Sequence, residues 1–128
     1  MACILFIDDD PFTLETLTKA VQVLGHQALL ANTGQEGLDI AANQLPDLIF
    51  TDMSLPDMDG LTLVTKLKSM PAVASIPVLV LSASPVLDAI ELAKKAGAAD
   101  YLTKPIRLQI LLEVIERYTK PDQQPAQP

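Results

Sequence analysis

Four apolar runs in this chain each lead into a residue that can do chemistry. Cys3 to Ile7 runs into Asp8-Asp9-Asp10, and Leu48-Ile49-Phe50-Thr51 runs into Asp52. Ile76 to Leu81 runs into Ser82, and Ala99 to Leu102 is followed by Lys104-Pro105. If the runs are parallel strands of one sheet, their carboxyl ends share one rim, where open α/β folds place their ligands. Acids gathered on such a rim repel one another and become tolerable with a cation among them. Hard carboxylate oxygens suit Mg2+, which keeps several waters and takes few protein ligands. A backbone carbonyl from the loop after Asp52, most simply that of Ser54, would add one more oxygen. A cation there would also screen the repulsion between Asp52 as a carboxylate nucleophile and an incoming phosphoryl group. Lys104 is a point charge able to reach a phosphoryl oxygen, and Ser82 brings a hydroxyl donor. Each residue also has a structural alternative. Asp52 could form a turn, Asp10 could cap a helix, Ser82 could satisfy a backbone group, and Lys104 could be solvated or paired with an acid. None of these alternatives predicts the joint placement.

The elements that must position these residues follow from periodicity and punctuation. Leu48-Ile49-Phe50 shows no polar alternation, as a central parallel strand covered on both faces requires. The loop after Asp52 is built from Pro56, Asp57, Asp59 and Gly60. Pro11, with an Asp before it as cap, opens a helix whose Leu14, Leu17, Val21 and Leu24 repeat at helical spacing, and Gly25 ends it. Gln27 to Ala31 reads as a second strand. Thr33-Gly34-Gln35-Glu36 has the form of a capping box and opens a helix to about Asn43, before Pro46. A third helix spans Leu61 to Ser69, and Ser84-Pro85 caps a fourth that closes at Gly97. Ile106 to Tyr118 is the last helix. Five strands alternating with five helices predict an α/β fold, a parallel sheet with helices on both faces and right-handed crossovers. Neither a Gly-x-Gly-x-x-Gly nor a Gly-x4-Gly-Lys-Ser/Thr pattern follows the first strand, so no nucleotide fingerprint is present.

With 128 residues and 49% apolar composition, the chain has the length of one domain and the material for a core. Its formal charge of −7 argues against a nucleic-acid surface. The single cysteine, Cys3, excludes a disulfide framework and is expected to be a small buried core residue. No apolar run approaches the roughly 20 residues of a membrane helix, and the first residues lack the pattern of a secretory signal. A soluble, cytoplasmic protein is expected. Residues 1–119 form the domain, and the Pro- and Gln-rich stretch 120–128 reads as a tail or the start of a linker.

Asp8-Asp9, Asp52, Ser82-Ala83 and Lys104-Pro105, in that order after successive strands, resemble the pattern of a response-regulator receiver domain of two-component signalling, over roughly Ala2 to Thr119. The resemblance implies a doubly wound, flavodoxin-like sheet of strand order 2-1-3-4-5. It implies Asp52 as phosphoacceptor, with a phosphohistidine of a sensor histidine kinase or phosphotransfer protein as donor. It implies Mg2+ on Asp8, Asp9 and Asp52 with Asp9 the more direct ligand, Ser82 and Lys104 on the phosphoryl group, and a cis Lys104-Pro105 peptide. It also implies a switch, in which Ser82 moves toward the phosphoryl oxygens and Tyr101 turns inward. The surface of the fourth helix, fifth strand and fifth helix is thereby remodelled to control a partner or output domain. Read without the family, Tyr101 is a half-buried strand aromatic. Such a domain catalyses only its own phosphorylation and dephosphorylation. Ser54 and Ser84 flank the site and are candidates for tuning the lifetime of the phosphoryl group.

Two other readings compete. An aspartate-nucleophile phosphatase of the haloacid-dehalogenase type wants Asp-x-Asp-x-Thr after its first strand, whereas Asp8-Asp9-Asp10-Pro11-Phe12 lacks the Thr. A degenerate receiver acting only as an interaction module would not need the full set of acids, Ser82 and Lys104. The last helix is unusually apolar. One face can bury Leu108, Leu111, Leu112 and Ile115, which leaves Ile110 and Val114 nearer solvent and suggests homodimerisation or kinase docking there. No output domain is expected within these 128 residues, which leaves either a stand-alone receiver or one whose linker begins at Lys120.

Overall fold

The computed structural model describes residues 1–83 and 87–119. In chain order the elements are β1 (Cys3–Ile7), α1 (Pro11–Val23), β2 (Gln27–Ala31), α2 (Gly34–Gln44), β3 (Leu48–Asp52), α3 (Gly60–Ser69), β4 (Val78–Ser82), α4 (Leu87–Ala96), β5 (Asp100–Thr103) and α5 (Leu108–Thr119). The strands form one parallel sheet in the order β2-β1-β3-β4-β5. Chain reversal between β1 and β3 leaves a crevice at their carboxyl ends, which is the switch point of the topology. The expected Ser84-Pro85 cap and the stretch 120–128 lie outside the described residues.

The two faces of the sheet are covered by different helices. Leu5, Ile7, Ile49, Val78 and Val80 pack with Leu38 and Ala41 of α2, Leu63, Val64 and Leu67 of α3, and Ala93 of α4. Ile4, Phe6, Leu48, Phe50, Leu79 and Leu81 pack with Leu14, Leu17 and Val21 of α1, and Leu111, Val114 and Ile115 of α5. Each strand alternates between the two cores, so its residue parity decides which helices a side chain meets. Phe6 and Phe50 sit opposite each other in register, and their rings stack with centroids 5.3 Å apart. Burying a ring or a branched aliphatic of this size contributes about 2 kcal/mol each, which firmly holds β1 and β3, the strands that carry the acids.

Caps place the helix starts. Asp10 accepts from the Phe12 N–H and from the Thr13 hydroxyl, so it is the N-cap of α1. Thr33 accepts from the Glu36 N–H, while the Glu36 carboxylate reaches back to the Asn32 N–H rather than to Thr33. Asp59 accepts from the Thr62 N–H and caps α3.

Two expectations are corrected. Cys3 is only half-buried, because the first residue of β1 lies at the amino edge of the sheet. Burial and the nearby Asp47 charge push its thiol up, which keeps it protonated and inert. In α5 the buried stripe is Leu111, Val114 and Ile115, so Val114 is inside, Leu112 is half-buried and Leu108 is exposed. The helix starts at Leu108, two residues later than expected. Ile106 packs against the core ahead of it, and the inward stripe falls at i, i+3 and i+4 from Leu111.

Candidate functional site

The carboxyl ends of β1, β3 and β5 bring three charged residues into contact. Asp8 follows β1, its backbone N–H bonded to the Ala31 carbonyl of β2, and it is 3% exposed. Its Oδ1 accepts from the Asp10 N–H at 2.9 Å, and its Oδ2 lies 2.6 Å from Lys104 Nζ. Asp52 ends β3, and its Oδ1 lies 3.2 Å from the same Nζ. Lys104 is therefore shared by two carboxylates. Asp9 is exposed, yet oxygens of Asp8, Asp9 and Asp52 all lie within 4.8 Å of one another. The Lys104-Pro105 peptide is cis.

Strand parity sorts the remaining residues. Asp52 has the parity of Phe50, and Asp8 that of Phe6, so both carboxylates continue the α1/α5 face. Ser82 has the parity of Val78 and Val80, on the α2/α3/α4 face, and Tyr101 packs against that same core. Ser82 is buried at the end of β4, paired in register with Thr103, and its carbonyl accepts from the Lys104 N–H at 2.8 Å. The sequence-based site thus splits into an acid–lysine group on one face and the Ser82–Tyr101 pair on the other. The Asp10 carboxylate is occupied as the cap of α1, while its backbone N–H holds Asp8.

The loop after Asp52 folds back tightly. The Gly60 N–H donates to the Met53 carbonyl at 2.6 Å, and the Leu55 N–H donates to the Met58 carbonyl at 3.2 Å. These bonds form an isolated antiparallel bridge between Ser54 and Asp59, made through their neighbours rather than through the Ser54 carbonyl. Gly60 is required by close approach: a Cβ there would lie 2.6 Å from the Asp52 carbonyl oxygen. At the loop tip, Asp57 accepts from the Gly34 and Gln35 N–H groups at the start of α2. These amides, Gln35 first, hold the Asp57 carboxyl below the usual range. Sequence reasoning missed this residue. Asp59 has its partner three residues on, but Asp57 finds its own 22 and 23 residues back, and no local spacing announces that.

The electrostatics fit a cation site. Burial raises the Asp52 carboxyl, Lys104 pulls it down and Asp8 pushes it up, leaving a net rise. Burial lowers Lys104, but the Asp8 hydrogen bond and the two carboxylate charges outweigh it, so the ammonium is held charged above its ordinary range. Three carboxylates against one ammonium leave the cluster negative. The donors are all hard oxygens, with one member exposed to solvent, which suits Mg2+ with its retained waters.

Buried Asp8 and half-buried Asp52 meet on a switch-point crevice, with Asp9 exposed beside them and Lys104 just after the last strand, an arrangement that defines a class of signalling receiver. The chain belongs to the response regulator receiver domain family, whose model matches residues 4–116. It is similar to protein PilH of Pseudomonas aeruginosa, 33% identical over 90% of this chain and 95% of that one. It is 37% identical to response regulator MprA of Mycobacterium sp. (strain KMS) over 98% of this chain, and spans about half, 55%, of that relative's length. Of the gliding motility regulatory protein of Myxococcus xanthus, 38% identical, it spans 15%. Among solved structures, a two-component response regulator from Clostridium difficile matches with a TM-score of 0.89 at 27% identity, over 97% of this chain and all of that one (100%). The receiver domain of the sensor histidine kinase PA1611 from Pseudomonas aeruginosa, described with a magnesium ion coordinated in its active-site cleft, matches with a TM-score of 0.85 at 25% identity, over 92% and 97% of the two chains. No helix among the described residues is long and apolar enough to cross a membrane.

Proposed function

We propose that Asp52 accepts a phosphoryl group from a phosphohistidine of a histidine kinase or phosphotransfer protein. The observation that carries this is the placement of Asp52 beside both Asp8 and Lys104 at the switch point of the sheet. A carboxylate oxygen of Asp52 attacks phosphorus, the P–N bond breaks, and the imidazole leaves with the electron pair and is neutralised by a proton. Hydrolysis of the acyl phosphate returns the carboxylate and releases inorganic phosphate. Asp8, Asp9, Asp52 and the Ser54 carbonyl would hold Mg2+, which would supply charge neutralisation at the phosphoryl oxygens. The position of Lys104 between the two carboxylates supports a role in following the charge from carboxylate to phosphoryl oxygen. An apolar cleft of about 350 Å³ opens beside Lys104, lined by Phe12, Leu17, Leu81, Pro105 and Ile106, and Phe12 is 73% exposed. It supports approach of the donor protein to this rim.

The output is a change of surface. Ser82 and Tyr101 belong to one face, so a pull on the Ser82 hydroxyl by new phosphoryl oxygens is felt by the packing around Tyr101. The α4-β5-α5 surface carries exposed Leu92, Leu108 and Ile110, which supports its use against a second copy, a kinase or an output domain. The domain acts as a cytoplasmic signalling module that turns over only its own phosphoryl group.

Exposure to acetyl phosphate with Mg2+ tests the reading. Wild type is expected to gain one phosphoryl group, and chelation of Mg2+ or Asp52→Asn is expected to abolish the gain. Equal labelling of Asp52→Asn would refute the assignment, and sustained turnover of a phosphomonoester would favour the phosphatase.

A further inference from the structure

The loop that carries Ser54 is fixed at two points. Its base is closed by the Gly60–Met53 hydrogen bond and by the contact of Gly60 with the Asp52 carbonyl. Its tip is fixed by Asp57, whose Oδ1 accepts from the Gly34 N–H at 2.7 Å and whose Oδ2 accepts from the Gln35 N–H at 2.9 Å. These are the first two amides of α2, which have no partner inside the helix. Thr33 takes the third, that of Glu36, through its hydroxyl, and the helix's own ladder begins with the Gly37 N–H donating to the Thr33 carbonyl. A residue of the Asp52 loop therefore takes two of the three first-turn amides, Gly34, Gln35 and Glu36, of a helix on another part of the chain. The contact is also steric. A Cβ on Gly34 would lie 2.6 Å from Met58 Cγ, so the loop rests directly on the helix start. A carboxylate at the positive end of a helix makes this a charge-assisted anchor.

We infer that Asp57 is a positioning residue for the cation site: by fastening the 53–60 loop to α2, it fixes the Ser54 carbonyl and the Asp52 carboxylate for Mg2+. This rests on the proposed cation site. The alternative role is purely structural, in which Asp57 stabilises α2 and leaves cation affinity alone. Partners that orient metal ligands change affinity by about tenfold or more when removed, which makes the two roles separable.

The test is a Mg2+ titration of the full chain followed by its amide resonances, with no phosphodonor present. It compares wild type, Asp57→Ala, Asp57→Asn and Thr33→Ala, each checked for fold by circular dichroism. Thr33→Ala removes a cap of the same helix without touching the loop. The expected result is a dissociation constant about tenfold higher in Asp57→Ala, a smaller rise in Asp57→Asn, which keeps one acceptor, and a change under about twofold in Thr33→Ala. If Asp57→Ala does not fold, Asp57→Asn decides alone. Wild-type affinity in both Asp57 variants overturns the inference and leaves the cation site standing. An equal loss in Thr33→Ala overturns it as well, because helix stability alone would then account for the effect. Failure of the wild type to bind Mg2+ overturns the cation site and this inference with it.

Discussion

Two half-buried lysines at opposite ends of the sheet show what separates the working rim from the structural one. Lys104, at the carboxyl end, faces Asp8 and Asp52 and is held above its ordinary range despite burial. Lys68, near the amino end of β4, donates to the Ala74 and Ile76 carbonyls, and burial lowers it. The difference extends to their neighbours. At the amino end, Asp47 accepts from the Cys3 N–H and His26 accepts from the Ala2 N–H, so polar side chains serve the backbone. At the carboxyl end, charged side chains face one another, and their own requirements exceed what the protein supplies. That surplus of negative charge marks the place where a cation and a phosphoryl group belong.

The contrast can be broken most directly at Lys104. Lys104→Met leaves Asp8, almost wholly buried, and Asp52 facing each other with no ammonium between them. Removing one partner of such a group is expected to destabilise the fold by about 3 kcal/mol in denaturant unfolding at pH 7, and Mg2+ should restore part of it. A loss no larger than that of Lys68→Met would end the distinction between the two rims.

Asp52→Asn acts in the other direction. A carboxyl raised in the folded state keeps its proton longer than the unfolded chain does, so it costs stability as pH rises above the ordinary 3.8. The substitution removes that cost while Lys104 retains Asp8. Without Mg2+ it is expected to stabilise by roughly 1 kcal/mol at pH 7, a figure already reduced for solvent screening, and by nothing below the carboxyl range. Thermal melts of the two proteins from pH 3 to pH 7 check the sign (about 3 and 7 bracket the ordinary carboxyl titration).

Lys68→Met is the smallest change. Its stem packing survives, and two partly solvated carbonyls lose a donor that water replaces, so the cost is expected to be about 1 kcal/mol or less. The alkaline limb sharpens the comparison. Lys104, raised when folded, contributes stability that is lost as pH climbs above 10.5, and Lys68, lowered when folded, contributes stability that grows as pH approaches 10.5 from below. Lys104→Met should flatten the alkaline loss, and Lys68→Met should steepen it.

Much of this was legible in the sequence because it is local. β1 and β2 lie at Cys3–Ile7 and Gln27–Ala31, where apolar runs between turn residues put them. The rim followed from strands ending on Asp8, Asp52 and Lys104. β4 begins at Val78 rather than Ile76, because Pro77 has no N–H to give and enters the ladder only through its carbonyl, which accepts from Ile49. The inward stripe of α5 was not legible because Leu108, Ile110, Leu111, Leu112, Val114 and Ile115 cover more than one face, so periodicity alone does not choose the face that docks. Asp57 and Lys68 were invisible for a common reason. Their partners are backbone groups brought near by the fold, and a backbone amide or carbonyl leaves no letter in a sequence.

The central claim is that Asp52 itself carries the phosphoryl group. The chain is treated with acetyl phosphate and Mg2+, the acyl phosphate is reduced with borohydride, and the digest is sequenced by mass spectrometry. Homoserine at position 52, absent without Mg2+, is the result predicted here. Homoserine at position 8 or 9, or a phosphoryl group stable to the reduction, would contradict it.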